Sequence, residues 1–304
     1  MRRPRTRIEA SSALDPEARR LPKLLFMASG TGFEQDSSVP RKNMTAASEQ
    51  SQAGRLYFAE RGSGQPLLLI HGLMATGAMF DPVLDRFAAH HRVIVPDLRG
   101  HGRSRQLPPP YSVRQLAADL SALLDGLGIA SADVLGYSQG GAIAQQLALD
   151  DAARCRRLVL GCTYAYNMAT RREWIEGHIA PWLVAILGPR RMTQLGMRLG
   201  AKELDPAQMA WLIRIFVDQD RKQMVSAWKE TMAFDSRSRL AEITCPTLIV
   251  AGSDDFAVPI HHARMLHDGI RGSKLVVVHG ARHTLIWTHG DEFVRIVEDF
   301  LLHL

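Results

Sequence analysis

Short apolar runs and amphipathic helical patterns alternate along the chain from Leu56 onwards. Runs that are apolar along their whole length predict strands buried on both faces. Such continuous runs cover residues 67–70 and 93–95, and further strand runs that are apolar for most of their length cover 132–136, 157–161, 247–251 and 274–278. Helical periods lie between or after them, at residues 112–127, 140–149, 261–269 and 291–302. The alternation predicts an α/β fold, in which helices flank a mostly parallel twisted sheet.

The pattern changes between Thr163 and about Leu240, where an all-helical stretch without β-branched strand runs is predicted. A crossover between neighbouring parallel strands needs only about a dozen residues plus its helix, so this stretch is too long for one. It contains four of the five tryptophans and six of the twelve methionines. We therefore predict a helical cap inserted at about residues 164–240. Its tryptophans and methionines would fill the cap's own core and together form an apolar roof.

The net charge of +6 is concentrated near the N-terminus, and this argues against one class of function. Residues 1–43 contain nine Lys and Arg against five Asp and Glu, whereas the rest of the chain is nearly balanced. No basic stripe interleaved with aromatic residues follows, so we expect no nucleic-acid partner. We expect residues 1–52 to be a flexible extension, with Met44 as a second plausible start, and residues 53–304 to form the folded domain.

Hydropathy and the cysteine content indicate the cellular compartment that we expect for the protein. No apolar run reaches the roughly 18 residues that a membrane span requires, so we expect no span. Cys155, Cys162 and Cys245 form an odd, scattered set without a CxxC pair. Such cysteines are typical of small buried hydrophobic positions in a reducing compartment, which predicts a cytoplasmic protein. The sequence carries no signal for the oligomeric state.

Ser138 lies in the most informative segment of the chain. A strand run ends at Leu135, the sequence Gly-Tyr-Ser-Gln-Gly follows, and a helical pattern then begins. Strand, tight turn and helix in this order expose a serine hydroxyl for nucleophilic attack. Residues two positions either side of the serine are pressed together in such a turn, and Gly136 and Gly140 are small enough to fit. We predict that Ser138 is a nucleophile.

A serine nucleophile needs a base, and the base needs a carboxylate that orients it. Among the twelve histidines, His283 has the position expected of the base, because it follows the strand run at 274–278. Since the carboxyl ends of parallel strands meet at one edge of a sheet, this loop should reach Ser138. We predict that His283 is the general base.

Two neighbouring carboxylates compete for the role of the orienting acid. Asp254 and Asp255 follow the strand run at 247–251, at the same sheet edge. The register favours Asp255 as the acid and Asp254 as a turn former. The other candidate position, after the run at 157–161, holds no carboxylate.

Two backbone amides are candidates for binding the oxyanion that forms during acyl transfer. Gln139 follows the nucleophile at a helix N-terminus, where amide hydrogens are free. Leu73 follows Gly72, whose flexibility allows the backbone to turn the next amide inward after the run at 67–70. We predict an oxyanion hole formed by the amides of Leu73 and Gln139.

Three other histidines, His261, His262 and His267, share one predicted helix. No acidic partner converges on them in the sequence, so we expect them to form a solvated face. We therefore expect no metal site, and the motifs imply no organic cofactor.

With these pieces in place, the chain resembles the α/β-hydrolase family across about residues 55–304. The resemblance rests on His71-Gly72, the loop at 97–104, the turn at 136–141, the run from Pro246 to Asp255 and Pro259, and His283. It implies an α/β-hydrolase fold with a cap near 164–240, a structural role for the 97–104 loop, and oxyanion-hole amides at Leu73 and Gln139.

Within the family, two branches share features with the chain. Residues 135–163 are similar to 3-oxoadipate enol-lactonases and small-ester hydrolases, whereas residues 283–287 with 291–293 are similar to meta-cleavage product C–C hydrolases. The loop at 73–77 departs from the Gly-Pro-Gly style of the second group. Haloalkane dehalogenases and epoxide hydrolases carry Asp at the position of Ser138 and are disfavoured.

Together these observations predict a serine hydrolase that cleaves a carboxylic ester or lactone with an apolar part through an acyl-enzyme. One alternative is a C–C bond hydrolase of dioxo acids, in which Arg190 or Arg191 binds a substrate carboxylate. Another is a ligand receptor that uses the same pocket without turnover.

Overall fold

The computed structural model of the chain describes residues 55–201, 204–217 and 220–303. The predicted extension at residues 1–52, with the second start at Met44, lies outside these described residues. None of the helices within the described ranges is long and apolar enough to cross a membrane.

A seven-stranded sheet forms the centre of the described part. Its strands are β1 (Phe58–Arg61), β2 (Gln65–Ile70), β3 (His91–Pro96), β4 (Ala132–Tyr137), β5 (Cys155–Gly161), β6 (Thr247–Gly252) and β7 (Lys274–Val278). The spatial order is β1-β3-β2-β4-β5-β6-β7, with β1 antiparallel to β3 and all other neighbours parallel. The predicted mostly parallel sheet is therefore confirmed. The chain leaves β3 and crosses β2 to reach β4, so the loops after β2 and β4 lie at the switch point, where ligands bind in such sheets.

Helices connect the strands. In the described ranges they are α1 (Asp81–Ala88), α2 (Val113–Gly126), α3 (Gln139–Asp150), α4 (Arg171–Gly200), α5 (Pro206–Val217), α6 (Arg221–Ala233), α7 (Ile260–Gly269), α8 (Leu285–Thr288) and α9 (Gly290–Leu302). The Ser112 hydroxyl caps α2 by accepting a hydrogen bond from the Gln115 amide at 3.2 Å. α4 is broken at Gly188, whose backbone is not helical, with φ at 79°.

Alternate residues of each buried strand face opposite layers of helices. Leu68 and Ile70 pack in one cluster with apolar residues of α2, α3 and α7. Leu67 and Leu69 of the same strand pack in a second cluster with residues of α1 and α9. Because both faces of β2 are covered, all four side chains are fully buried and the strand is apolar along most of its length.

The long connection from β5 to β6 contains the three helices α4, α5 and α6. Two of its tryptophans do not fill the core that was expected for this connection. Trp174 and Trp182 are 51% and 73% exposed on α4, so the expectation of core packing is wrong for these two. The same helix exposes four more large apolar side chains, Ile175, Ile179, Leu183 and Ile186. Their spacing of three to four residues puts most of them along one side of α4.

A buried histidine joins the loop after β2 to the loop after β3. The Nε2 atom of His71 accepts a hydrogen bond from the Leu98 amide at 3.0 Å. Its Nδ1 atom lies 2.8 Å from the Gly72 carbonyl oxygen, to which it donates. These partners require the neutral ring with its proton on Nδ1. Burial lowers the pKa of His71 to about 4, although the bond to Gly72 opposes the shift.

A second buried histidine repeats this arrangement. His101 donates from Nδ1 to the Arg99 carbonyl oxygen at 3.0 Å, and its Nε2 accepts a long bond of 3.4 Å from the Met74 amide. Its ring lies edge-on to that of His71, with the ring centroids 5.3 Å apart. Burial lowers the pKa of His101 to about 4, and a charge on His71 would lower it further.

Asp97 holds the 97–104 loop from inside. One of its carboxylate oxygens accepts a hydrogen bond from the Gly77 amide at 2.7 Å, and the other accepts one from the Arg103 amide at 2.9 Å. A Cβ atom at Gly102 would come within 2.3 Å of the second oxygen, and φ at this residue is +47°. Glycine is required here because the backbone approaches the carboxylate so closely.

Because His71 and His101 are neutral in the folded protein, we expect its free energy of unfolding to depend on pH. Both folded-state pKa values lie near 4, below the value of 6.5 for an unfolded histidine, so the unfolded chain binds more protons between these pH values. We expect each histidine to contribute up to about 3 kcal/mol to the free energy of unfolding above pH 6.5. This contribution should be lost as the pH falls towards 4. Urea unfolding at pH 7 and pH 4.5 measures it.

The matched variant for this measurement is His101→Gln. The glutamine oxygen can accept the Met74 amide, but the side chain does not titrate. We expect the stability of this variant to change less with pH than that of the wild type. An identical pH dependence in both proteins would contradict the role given to His101.

Candidate active site

Ser138 occupies a strained turn between β4 and α3. Its backbone has φ 56° and ψ −123°, a conformation that residues other than glycine rarely adopt. A Cβ atom at Gly136 would lie 2.2 Å from the Gly140 carbonyl oxygen, and one at Gly140 would lie 2.1 Å from the Ile70 carbonyl oxygen. Both positions therefore require glycine, as the sequence pattern indicated.

Three predicted side chains form one hydrogen-bonded row. The Ser138 hydroxyl lies 3.1 Å from Nε2 of His283, and Nδ1 of His283 lies 2.8 Å from an Asp255 carboxylate oxygen. His283 follows β7 and Asp255 follows β6, so three strand ends supply the row. In this arrangement the serine donates to the imidazole, which donates to the carboxylate.

The structure distinguishes the two candidate acids. Asp255 is buried, and its second oxygen accepts hydrogen bonds from the amides of Ala257 and Val258, each at 2.9 Å. Asp254 is exposed and accepts a hydrogen bond from the hydroxyl of the neighbouring Ser253. Only Asp255 faces His283, in agreement with the preference drawn from the sequence.

The surroundings of His283 tune its protonation. Burial lowers its pKa, but the charge of Asp255 and the hydrogen bond to it outweigh burial, so the pKa lies above the usual value. The Tyr137 hydroxyl donates to the His283 carbonyl oxygen at 2.8 Å and fixes the backbone of the loop. Sequence reasoning missed this role of Tyr137, because the partner lies 146 positions away.

Cys162 lies next to the acid. Its Sγ atom forms a group with one ligand atom each of Asp255 and His283, all within 4.8 Å of one another. Burial, followed by the charge of Asp255, raises the pKa of the Cys162 thiol. The thiol is therefore neutral and adds no second negative charge beside the row.

The two predicted oxyanion amides belong to backbone segments close to Ser138. A Cβ atom at Gly72 would lie only 3.6 Å from the Ser138 hydroxyl oxygen, so the backbone just before Leu73 passes close to the nucleophile. Within the described part of the chain, the Leu73 amide has no hydrogen-bond acceptor. Gln139 is the first residue of α3, where amides have no partner inside the helix. Their role in binding an oxyanion stays a prediction.

The helices between β5 and β6 contact the loops that surround this row. The Gln139 side-chain amide donates a hydrogen bond to the Thr231 hydroxyl on α6. Met74, in the loop after β2, packs in one apolar cluster with Val184 of α4 and Met224 of α6. These contacts attach α4 and α6 to the loop that carries Leu73 and to the start of α3, the positions of the two oxyanion candidates.

Two histidines expected on a solvated face are placed differently. His262 is fully buried and His261 is half-buried, and both contact Glu173 at the start of α4. The expectation is therefore wrong for these two, whereas His267 is exposed as expected. Glu173 lies 89 positions from His262, so nothing local in the sequence connects them. The one available signal is the spacing Thr170-x-x-Glu173, which is typical of a helix start.

Comparison with known proteins agrees with the geometry. Residues 65–290 match the family described as alpha/beta hydrolase fold. A putative carbamate hydrolase RutD from Azorhizobium caulinodans is 29% identical over 257 residues, which cover 81% of this chain and 94% of that protein. A pimeloyl-[acyl-carrier protein] methyl ester esterase from Neisseria meningitidis is 31% identical over 241 residues, covering 77% and 92%. Among solved structures, the enol-lactonase from Burkholderia xenovorans LB400 superposes with a TM-score of 0.74 at 27% identity, covering 81% of this chain and 96% of that one.

The family match covers most of the chain and contains every part of the row described above. Ser138, Asp255 and His283 all lie between its limits at residues 65 and 290. The strand order and the matching solved structures lead to the same assignment. The chain belongs to the alpha/beta hydrolase fold family.

Proposed function

We propose that the protein is a serine hydrolase that cleaves a carboxylic ester or lactone through an acyl-enzyme. The observation that carries the proposal is the row from Ser138 through His283 to Asp255, with contacts of 3.1 and 2.8 Å. Nucleophile, base and orienting acid at these separations are the arrangement that acyl transfer by serine requires.

In the proposed reaction, His283 removes the proton of Ser138 as the hydroxyl oxygen attacks the substrate carbonyl. The imidazolium then donates this proton to the leaving alcohol oxygen, and an acyl-serine remains. Water, deprotonated by the same imidazole, attacks the acyl group and releases the carboxylic acid and Ser138. Asp255 holds the imidazole with its proton on Nδ1 and stabilises the positive charge in both halves of the reaction.

The proposed oxyanion hole consists of the amides of Leu73 and Gln139. Negative charge develops on the carbonyl oxygen during attack, and backbone donors fixed beforehand stabilise it without reorganisation. His101 bonds to the Met74 amide, and His71 bonds to the Gly72 carbonyl oxygen. These two rings hold the backbone on both sides of Leu73 and so orient its amide.

We further propose that residues 164–240 act as a cap over this row and select a substrate with an apolar part. Contacts of α4 and α6 with Met74 and Gln139 support a position beside the nucleophile. The names of two relatives, a methyl ester esterase and an enol-lactonase, agree with an ester or lactone carbonyl.

The first test replaces the nucleophile. We expect Ser138→Ala to lower the turnover of a short p-nitrophenyl ester by about 10⁴-fold or more, because no other hydroxyl occupies the row. A fluorophosphonate should label the wild type and fail to label the variant, as intact-protein mass spectrometry will show. A folded variant with near-normal turnover would end the proposal.

The second test uses adjacent carboxylates as variant and control. We expect Asp255→Asn to lower kcat by about 10⁴-fold, because the imidazole loses its orienting partner. Asp254→Asn is the control and should stay within a few-fold of the wild type, since Asp254 is exposed. Equal effects of the two substitutions would contradict the assignment of Asp255.

The pH dependence of the same two proteins gives a further readout. His283 works as a base only when neutral, and its pKa is raised above 6.5 by Asp255. The wild-type kcat/KM should therefore fall on the acidic side with a midpoint above pH 6.5. In Asp255→Asn the residual activity should fall at a lower pH, because the charge that raises the pKa of His283 is gone. A midpoint that does not move would exclude this coupling.

A substrate comparison separates ester cleavage from C–C cleavage. Arg190 and Arg191, the residues expected to bind the carboxylate of a dioxo acid, are both exposed. We therefore expect the p-nitrophenyl ester to react far faster than a coloured dienol dioxo acid. The opposite order would favour C–C cleavage by the same row.

A further inference from the structure

Three potential metal-ligand atoms converge between α4 and α7, outside the row of Ser138. The Oε1 atom of Glu173 lies 3.0 Å from Nε2 of His261 and 3.0 Å from Nε2 of His262. One potential ligand atom of each of the three residues lies within 4.8 Å of the other two. The two histidine rings are tilted by 37° to each other, with their centroids 4.2 Å apart.

Glu173 is fixed in place from its other side. The Thr170 amide donates to Oε2 of Glu173 at 2.8 Å, and the Glu173 amide donates to the Thr170 hydroxyl at 3.2 Å. This pair of bonds is a capping box at the start of α4. It orients the carboxylate so that Oε1 faces the histidines, and metal-binding carboxylates are commonly held by such an outer hydrogen bond.

The histidine nitrogens are incompletely satisfied without a further partner. The Nε2 atom of His262 has hydrogen-bond geometry to Glu173. The Nε2 atom of His261 is buried at the same 3.0 Å from that oxygen, yet it has no hydrogen-bond partner among the described residues. Its N–H direction therefore does not point at the carboxylate. The Oε1 atom of Glu173 does not serve as hydrogen-bond partner to both Nε2 atoms. A cation placed among the three atoms would give each of them a partner.

The sequence leads us to expect no metal site, because no acidic partner for these histidines is evident in it, but Glu173 supplies one. We propose that Glu173, His261 and His262 bind one divalent transition-metal ion, and that Zn²⁺ fits these ligands best. Two imidazole nitrogens and one carboxylate oxygen are donors that zinc accepts, with water in a fourth position. Bonds of about 2.1 Å place tetrahedral ligands about 3.4 Å apart, and the separations of 3.0 Å to Glu173 are close to this spacing.

Such an ion would act as a cross-link between two parts of the molecule. Glu173 belongs to the first turn of α4, in the helical connection between β5 and β6. His261 and His262 belong to the first turn of α7, which follows the loop that carries Asp255. The metal therefore joins the start of the helical connection to the sheet domain beside the acid loop. This proposal does not depend on the reaction proposed above.

The test measures metal uptake by the full chain. The protein is treated with EDTA, dialysed, and then equilibrated with ZnCl₂ or CoCl₂, with metal content and the Co²⁺ visible spectrum as readouts. We expect about one ion per chain and a rise in the thermal unfolding midpoint on adding zinc. Glu173→Gln and His261→Ala should each weaken binding by about ten-fold or more.

The matched control is His267→Ala, which removes an exposed histidine of the same helix and should bind zinc like the wild type. A thermal unfolding transition measured without metal tests whether each variant is folded. If Glu173→Gln is unstable, His261→Ala serves as the second variant, because the His261 side chain is partly exposed. The proposal is overturned if the wild type takes up no ion, or if Glu173→Gln and His261→Ala bind as tightly as the wild type.

A second cluster of potential metal ligands requires a separate variant in the same experiment. Cys162, Asp255 and His283 also place ligand atoms within 4.8 Å of one another. Zinc held there would be retained in Glu173→Gln and lost in Cys162→Ser, and that result would assign the ion to this second cluster and overturn the proposal. Loss in Glu173→Gln with retention in Cys162→Ser supports it.

Discussion

One close backbone crossing governs the geometry of the site. The start of α3 passes so near to the ends of β2 and β4 that no side chain fits at Gly136 or Gly140. This crossing forces Ser138 into a positive φ, which is costly for a serine and persists only because the surrounding sheet is buried and rigid. The turn in return places the Ser138 hydroxyl within hydrogen-bond distance of His283, directly before the first amide of α3.

The rest of the site follows from strand order. β4 has β2 on one side and β5 on the other, and β6 and β7 continue in the same direction. Loops after β2, β4, β6 and β7 therefore open at one edge, where they bring Leu73, Ser138, Asp255 and His283 together from widely separated parts of the chain. The buried rings of His71 and His101 add stiffness, since each bonds two backbone segments at once.

Much of this arrangement could be predicted from the sequence, because it depends on local patterns. Strands buried on both faces are continuous apolar runs, and the turn at Ser138 needs glycines at fixed spacing. The predicted strand limits differ from the observed ones by only a residue or two at each end. β1 was not predicted, because its sequence Phe-Ala-Glu-Arg lies at an edge of the sheet and lacks an apolar run.

Other features depend on contacts between distant residues and could not be predicted in this way. The burial of His262 follows from the packing of α7 against the sheet and from Glu173, which comes from another part of the chain. The exposure of Trp174 and Trp182 shows the same limit, since composition gives the apolar content of α4 but not the direction of each side chain. The sequence pattern indicates only that Tyr137 belongs to the turn, whereas its hydroxyl donates to the His283 carbonyl oxygen in a distant loop.

The neutral thiol beside Asp255 has a consequence for the chemical reactivity of the molecule. Cysteine reacts with alkylating agents and oxidants as the thiolate, and burial raises the pKa of Cys155, Cys162 and Cys245 alike. The buried sulfur atoms of Cys155 and Cys162 are thus poor targets in the folded state, even though that of Cys162 lies near the acid of the site. Both cysteines belong to or directly follow β5, so their reaction with iodoacetamide or peroxide would report on the opening of the sheet.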